Sequence, residues 1–262
     1  MTISDQLLLG LQAYESIQTD PTSEAVTERG RADPVPADAG LADPEFLPKD
    51  SLLLGVATDG LPVLLDLGNP TSGPILVVGG AGAGKTDLLK FLATASSLLA
   101  DPGDVSFGVL ANFPEEWHLV ECLPNSLGVW PSFHPSAGEF LAQLVSWGRV
   151  LVDSRQAVLL LVDDLEMLTD EDPKFRHEFH QLLRYGPQNR IWPVVTVNPS
   201  RLHQPDTWLA SFHTRIYAHL SAGERGQASL ETGEFDPAGL IPGTQFGLRS
   251  VDGWLKFTIP AL

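Results

Sequence analysis

The sequence is poor in cysteine and has no long apolar run. Cys122 is the single cysteine among 262 residues, which excludes an internal disulfide framework and a cysteine-rich zinc site and is typical of a reducing compartment. We expect Cys122 to be a small core residue. No segment approaches the ~18 apolar residues of a membrane span, and the N-terminus lacks a basic leader. These absences predict a cytoplasmic protein without membrane insertion.

Basic residues are also scarce. The formal net charge is −17, from 33 acidic and 16 basic residues, and residues 91–148 contain no lysine or arginine. Binding to a nucleic-acid backbone requires clustered lysine and arginine. The composition therefore argues against a general nucleic-acid surface, and any contact with DNA is expected from a few residues on a local loop or through a partner.

The chain divides into three parts by composition. Residues 1–17 predict a short N-terminal helix, because their apolar residues recur at helical spacing. Residues 18–50 are rich in proline, alanine and acidic residues and predict a flexible acidic linker. An apolar content of 43% over the whole chain is enough for a full core. We therefore expect residues 51–262 to form one folded domain.

From residue 51 onwards, strand and helix patterns alternate. The apolar strand candidates are "PILVVG", "VSFGVLA", "AVLLLV", "IWPVVTV" and "RIYAHL". Alternation of this kind is typical of an α/β protein with a largely parallel sheet covered on both faces. The segments "SLLLGVATDGLPVLLDLG" and "GTQFGLRSVDGWLKFTIP" on either side of this core each predict a β-hairpin. The expected fold is thus an α/β core flanked by N-terminal and C-terminal β-hairpins.

The segment "GGAGAGKT" matches the phosphate-binding pattern G-x-x-x-x-G-K-[ST] between a strand and a helix. Its backbone N–H groups can surround a polyphosphate, and the start of the following helix adds a favourable dipole. We expect Lys85 to contact the β- and γ-phosphates of ATP and Thr86 to bind Mg²⁺. A glycine-rich turn without a ligand is the competing interpretation. The predicted ATP-binding residues are Gly79, Gly80, Ala81, Gly82, Ala83, Gly84, Lys85 and Thr86.

The segment "AVLLLVDDLEML" runs six apolar residues straight into Asp163 and Asp164. Asp163 follows a buried strand 78 positions after Lys85, as expected of the acid that binds Mg²⁺ in phosphate-loop ATPases. Carboxyl ends of strands line the ligand crevice in a doubly wound sheet. We predict that Asp163 binds Mg²⁺ and that Asp164 orients or activates the attacking water, with Glu166 as a substitute. Helix capping is the alternative role for either aspartate.

Taken together, these motifs resemble the FtsK/SpoIIIE-like motor ATPases of the HerA-FtsK superfamily, and among them the EccC ATPases of type VII secretion. The resemblance runs from about residue 54 to the C-terminus. It rests on the order of "DGLPVLLDL", the glycine loop, the aspartate pair, "VVTVNPS", "HTRIYAHL" and "LIPGTQFGLR". It implies a RecA-like P-loop NTPase core that assembles into rings and couples ATP hydrolysis to movement of DNA or protein.

The resemblance also implies catalytic roles outside the two motifs. Asn198 matches a polar sensor at the end of the strand beside the aspartate strand, where its amide can contact the γ-phosphate or the attacking water. Arg215 matches a family arginine, and Arg155 or Arg190 is the alternative for an arginine that acts on a neighbouring subunit. Asp164 replaces the usual glutamate and is one methylene shorter, which makes slow hydrolysis an open alternative.

Three functions remain open from the sequence. They are a P-loop ATPase motor, a nucleotide-binding regulatory or scaffold subunit without hydrolysis, and a small-molecule kinase. The absence of an arginine-rich lid argues against the kinase. The expected partners are ATP and further subunits of a homo-oligomer or ring, with DNA or protein cargo reached through the assembly. His177 and His180, three apart on a predicted helix, lack a recognisable third metal ligand, so we expect an exposed polar helix there.

Overall fold

The computed structural model describes residues 48, 50–150, 155–165, 173–201, 207–227, 235–250 and 253–259. The predicted N-terminal helix, residues 1–17, lies outside these ranges, and of the predicted linker, 18–50, only residues 48 and 50 lie within them. Glu166 also lies outside the described residues.

The described residues form one mixed sheet of ten strands with helices on both faces. The strands are β1 (Ser51–Ala57), β2 (Pro62–Asp66), β3 (Ile75–Val78), β4 (Val105–Ala111), β5 (Ser126–Pro131), β6 (Ala157–Val162), β7 (Ile191–Val197), β8 (Thr214–Tyr217), β9 (Gln245–Ser250) and β10 (Gly253–Thr258). The α-helices are α1 (Lys85–Leu99), α2 (His118–Glu121), α3 (Pro135–Gly148), α4 (Pro173–Tyr185) and α5 (Ala222–Gln227). The strand order across the sheet is β2-β1-β10-β9-β8-β3-β7-β6-β4-β5.

Six neighbouring strands, from β8 to β5, run parallel. Their carboxyl ends therefore meet along one edge of the sheet, where a doubly wound fold binds its ligand. The central strands β3, β4, β6 and β7 are buried along their whole length, as expected for strands covered on both faces. The predicted α/β fold with a largely parallel sheet is confirmed.

Two hydrophobic cores cover the sheet, because successive side chains of a strand point to opposite faces. On one face, Val77 of β3 packs in a core with Leu88 and Leu92 of α1. On the other face, Leu76 lies in a core with residues of α3 and α4. Burial of each such side chain contributes about 1.5–3 kcal/mol. The two cores fix the sheet edge that carries the predicted site residues.

Both predicted hairpins form, β1–β2 and β9–β10, and they lie side by side at one end of the sheet. Strand β1 pairs antiparallel with β10, and β9 pairs antiparallel with β8. The Thr258 hydroxyl donates to the Val56 carbonyl, a contact between residues 202 positions apart. The sequence predicted the hairpins but not this pairing. The hairpins consequently extend the parallel sheet as one continuous unit.

The prediction that Cys122 is a core residue is wrong, because its side chain is exposed. Cys122 directly follows the single turn of α2. In that turn Val120 faces the core, which leaves Cys122 on the solvent side.

His177 and His180 are exposed on α4, as expected. His177 Nε2 lies 2.7 Å from Gln181 Nε2. Within the part of the chain that the structure describes, no three potential metal ligands lie together. Over the same residues, no helix is both long and apolar enough to cross a membrane.

Candidate nucleotide-binding site

The glycine loop leaves β3 and enters α1 at the carboxyl edge of the sheet. Its first half is tied to the two strands that flank β3. The Gly79 N–H donates to the Val197 carbonyl over 3.1 Å, and the Gly80 N–H donates to the His219 carbonyl over 3.0 Å. Val197 ends β7 and His219 lies two residues after β8, so the two strands beside β3 position the loop.

The second half of the loop depends on glycine at residue 84. Gly84 caps α1 with φ 88° and ψ 19°, a left-handed conformation that glycine adopts without strain. A Cβ at this position would lie 2.4 Å from the Gly243 Cα, so a larger residue is also excluded by contact. The Gly243 N–H donates to the Ala83 carbonyl over 3.1 Å. The segment that precedes β9 therefore closes against the back of the loop.

Lys85 is the first residue of α1 and is only 8% exposed. Its Nζ donates to the Gly80 carbonyl over 2.9 Å, so the side chain reaches back across the loop. The first N–H groups of an α-helix have no acceptor within the helix, and the helix dipole is positive at this end. A buried ammonium group beside such donors forms a site for an anion, and this chemistry fits a polyphosphate.

The structure brings Thr86 and Asp163 together. The Thr86 hydroxyl donates to Asp163 Oδ2 over 2.9 Å, across 77 positions of sequence. Asp163 itself follows β6, and its N–H donates to the Leu110 carbonyl of β4 over 2.9 Å. A hydroxyl and a carboxylate are hard oxygen ligands of the type that Mg²⁺ prefers. This pair therefore fits the predicted metal position.

Asp163 is held in a strongly buried environment. Burial raises the pKa of Asp163 above its ordinary value, and the neighbouring charge of Asp164 raises it further. Hydrogen bonds from Thr86 and Thr196 and the charge of Lys85 act in the opposite direction. An ionised Asp163 is thus costly unless a cation is close, which is the electrostatic condition of a metal ligand.

Thr196, on β7, is a site residue that the sequence analysis missed. Its hydroxyl donates to Asp163 Oδ1 over 3.0 Å and accepts from the Asp164 N–H over 2.8 Å. The side chain is completely buried. A threonine in an apolar strand is typical of β-structure in general. In the sequence, the only signal for this role was the position of Thr196, two residues before Asn198 at the end of the strand.

Asp164 leaves the end of β6 in a left-handed conformation, with φ 67°. Aspartate tolerates this region better than most residues, but such backbone is uncommon outside glycine. Sparsely populated conformations of this kind cluster at functional sites. Because of this turn, the two adjacent side chains point in different directions. The Asp163 carboxylate contacts Thr86, and the Asp164 carboxylate does not share that contact.

Asn198 follows β7 and is 3% exposed. Its Oδ1 accepts from the Ser200 N–H over 3.1 Å and from the Ser200 hydroxyl over 2.8 Å. The preceding residue, Val197, accepts from Gly79, so Asn198 lies next to the start of the glycine loop. The structure thus brings Asn198 to the predicted edge, with its side-chain oxygen capping the turn that follows.

Two of the three candidate arginines lie at the amino-terminal edge of the parallel strands. Arg155 precedes β6, Arg190 precedes β7, and Arg215 is the second residue of β8. The Arg215 guanidinium donates to the Leu209 carbonyl over 3.2 Å. The register pairs Arg215 with Leu76, two residues before the end of β3.

Arg190 makes internal contacts rather than projecting from the surface. Its Nη2 donates to Asp50 Oδ1 over 2.5 Å and to the Arg155 carbonyl, and its Nη1 donates to the Leu67 carbonyl over 3.3 Å. These contacts join the base of the β1–β2 hairpin to the start of β6. The geometry therefore favours a structural role for Arg190 over a trans-acting one.

No family model and no curated protein matches this sequence. Solved structures do match. The cytoplasmic domain of the Thermomonospora curvata type VII secretion ATPase EccC has a TM-score of 0.64 and 16% identity over 83% of this chain. EssC (ATPases 2 and 3) from Geobacillus thermodenitrificans has a TM-score of 0.62 and 14% identity over 88% of this chain. The chain has the fold of an EccC-type ATPase domain.

This EccC-type fold accounts for only part of those relatives. The chain spans 27% of the EccC structure and 48% of the EssC structure. The pCW3 conjugation coupling protein TcpA, solved with ATPγS, has a TM-score of 0.56 and 12% identity over 82% of this chain and 67% of its own. At these identities the likeness establishes the fold, and it confirms the RecA-like architecture that the sequence predicted.

Proposed function

We propose that this chain is a P-loop ATPase that binds ATP with Mg²⁺ at residues 79–86 and hydrolyses it. The hydrogen bond of 2.9 Å between Thr86 and Asp163 carries the proposal, because it unites the two motifs that a phosphate-loop ATPase needs around its metal. The solved TcpA structure with ATPγS adds support, since a relative in fold holds a nucleotide analogue.

Each residue of the site has a defined task in this proposal. Lys85 supplies a buried positive charge to the β- and γ-phosphates, and the N–H groups at the start of α1 bind the phosphate oxygens. Thr86 and Asp163 hold Mg²⁺, which neutralises charge that develops on the phosphates when bound. Asp164 orients the attacking water, and Asn198 lies where a polar sensor of the γ-phosphate is expected.

Nucleotide titration of a lysine variant tests the binding proposal. Lys85→Ala removes the charge-assisted phosphate contact and should weaken binding of a fluorescent ATP analogue by about tenfold or more. Lys256→Ala is the matched control, because it removes the same charge from an exposed position on β10. If both variants bind the ATP analogue as tightly as the parent protein, the assignment of the glycine loop as the ATP site is wrong.

A nucleotide-binding subunit with little turnover is the second candidate. The observation that favours it is Asp164, which is shorter than glutamate and leaves β6 in a left-handed turn. Steady-state phosphate release separates the two candidates. Phosphate release by the parent protein that is lost in Lys85→Ala supports the ATPase. Tight ATP binding by the parent protein without phosphate release supports the second candidate. Transfer of phosphate to an added acceptor would instead indicate a kinase.

We also propose that the domain acts within a homo-oligomer or ring that moves DNA or protein. The EccC-type fold supports this proposal, and Arg155 and Arg215 are the candidates for an arginine that acts on a neighbouring site. Measurement of the mass in solution with and without Mg-ATP tests the assembly.

With a net charge of −17, the isolated chain should not bind duplex DNA tightly at physiological salt. A salt titration with sub-micromolar binding by the monomer contradicts this expectation.

A further inference from the structure

A carboxylate lies against the outer side of the glycine loop. Glu224 of α5 accepts hydrogen bonds from the Ser221 N–H over 2.9 Å and from the Ser221 hydroxyl over 2.7 Å. The Ala81 N–H is close enough to this carboxylate to lower its pKa. A Cβ on Gly80 would lie 2.6 Å and 2.7 Å from the two Glu224 carboxylate oxygens. The carboxylate therefore occupies the volume that a side chain at residue 80 would need.

Helix capping explains only part of this arrangement. The sequence "SAGE", from Ser221 to Glu224, is a capping box, in which the glutamate side chain satisfies the N–H of the serine. Ser221 and Glu224 suffice for that motif. The contact with Gly80 and the proximity of the Ala81 N–H are additional, and they join α5 to the loop that is proposed to bind the phosphates.

The charge of Glu224 is stable near neutral pH. The Ser221 hydroxyl and then the Ser221 N–H lower the pKa of Glu224, and the Ala81 N–H and His219 lower it further against the opposing effect of burial. An ionised carboxylate is a stronger acceptor than a neutral group. It thus attracts the Ala81 N–H in the first half of the loop.

We propose that Glu224 is a positioning residue of the ATP site, which holds Gly80 and Ala81 in the shape that leaves the later N–H groups of the loop for the phosphates. This inference rests on the proposed ATP binding. A loop that is ordered before the ligand arrives binds with higher affinity, because less conformational entropy is lost on binding. Glu224 acts through the loop backbone and not through contact with the nucleotide.

Three single variants separate positioning from capping. Glu224→Ala removes both the cap and the contact with the loop. Glu224→Gln removes the charge but keeps an acceptor oxygen. Ser221→Ala is the matched control, because it removes the hydroxyl of the capping box and leaves the Glu224 carboxylate available for its contact with Gly80. For each variant we would measure the Kd of a fluorescent ATP analogue with Mg²⁺, kcat and KM, and the Tm without nucleotide.

Positioning predicts a distinct pattern across these variants. Glu224→Ala should weaken ATP binding by about tenfold, because a loop without this support must be ordered when ATP binds. Glu224→Gln should weaken it by about threefold or less, and Ser221→Ala by still less. The change should appear in Kd and KM more than in kcat, because Glu224 does not touch the reacting atoms. All three variants should share a small loss of Tm.

A substitution in the loop provides a second test that does not alter α5. Gly80→Ala places a Cβ where the carboxylate lies, so it should displace Glu224 and weaken ATP binding by about the same factor as Glu224→Ala. The double variant should be no weaker than either single variant, since both remove one interaction. Additive losses in this cycle would overturn the proposal even if Glu224→Ala proved unstable.

The outcomes also separate this inference from the proposed function. If Lys85→Ala abolishes binding while Glu224→Ala and Ser221→Ala bind ATP equally, ATP binding stands and Glu224 is only a helix cap. If Lys85→Ala has no effect, the site assignment itself fails. A loss of affinity in Glu224→Ala and Gly80→Ala, with non-additive coupling, supports the positioning role.

Discussion

Thr196 Oγ1 donates to Asp163 Oδ1 over 3.0 Å at the point where β7 and β6 end side by side. The same hydroxyl accepts from the Asp164 N–H over 2.8 Å. One buried hydroxyl therefore fixes the carboxylate of the first aspartate and the backbone of the second. This contact makes the geometry of the aspartate pair depend on β7 as well as on β6.

Thr196→Val should impair the site while preserving the shape of the strand. The variant leaves Asp163 Oδ1 and the Asp164 N–H without their partner, which costs about 1–3 kcal/mol for buried groups. We expect a Tm lower by about 2–4 °C for each kcal/mol in a domain of this size, and weaker Mg-dependent ATP binding. Thr196→Ser retains the hydroxyl and is the control. Equal Tm and affinity for the two variants would contradict the bridging role.

The local motifs were predictable from the sequence, whereas the contacts that align them were not. Lys85, Thr86 and Asp163 each belong to a short pattern whose chemistry is readable without the fold. Thr196 acquires its role only from the strand order, which places β7 between β3 and β6, and Glu224 acquires its role from the position of β8 beside β3. The capping box at Glu224 was readable, but its contact with the loop depends on residues far apart in sequence.

The register explains why the arginines were harder to assign. Arg215 lies in a segment that resembles a family pattern, but parallel pairing sets it beside Leu76 and not at the carboxyl end of β8. Similarly, the pairing of β1 with β10 follows from the closure of the whole sheet and not from either hairpin.

Asp163→Asn should stabilise the protein in the absence of metal. Because the pKa of Asp163 is raised by burial, the folded state binds the proton more tightly than the unfolded chain, and the ionised carboxylate lowers stability at neutral pH. Asparagine removes that cost and can still pair with the hydroxyls of Thr86 and Thr196. Thermal unfolding in EDTA should show a higher Tm for the variant.

The stability difference should also depend on pH. It should be absent below the ordinary Asp pKa of 3.8, increase as pH rises towards the raised folded pKa, and stay constant above it. With Mg-ATP the order should reverse, because only the parent protein gains stability from the bound metal. A lower Tm for Asp163→Asn in EDTA at neutral pH would contradict the assignment of a costly buried charge.

Arg190→Met should destabilise the fold without changing nucleotide affinity. The variant leaves the Asp50 carboxylate and two carbonyl groups without their donor, which costs about 1–3 kcal/mol. Asp50→Asn is the control and should cost less, because Asp50 is 36% exposed and the two carbonyl contacts remain. Chemical denaturation and ATP titration measure the two effects. An unchanged stability with loss of turnover would indicate a trans-acting arginine instead.

The last prediction concerns Asp164, whose φ of 67° allows its catalytic and structural roles to be separated. Asp164→Asn keeps a side chain that tolerates the left-handed conformation, so Tm and ATP affinity should stay close to those of the parent protein. Loss of the carboxylate should reduce hydrolysis by about 10², the usual contribution of a general base. Asp163→Ala should differ by weakening the Mg-dependent binding itself.

Two further variants of Asp164 should change both Tm and turnover in opposite directions. Asp164→Gly relieves the backbone strain and should raise Tm while it abolishes turnover. Asp164→Glu restores the usual reach towards the attacking water and should raise the rate, but glutamate tolerates the left-handed backbone less well, so Tm should fall. Phosphate release and thermal unfolding on the same preparations distinguish these effects. If Asp164→Asn hydrolyses ATP as fast as the parent protein, Asp164 serves only to form the turn after β6, because the one property that this substitution removes is the carboxylate charge.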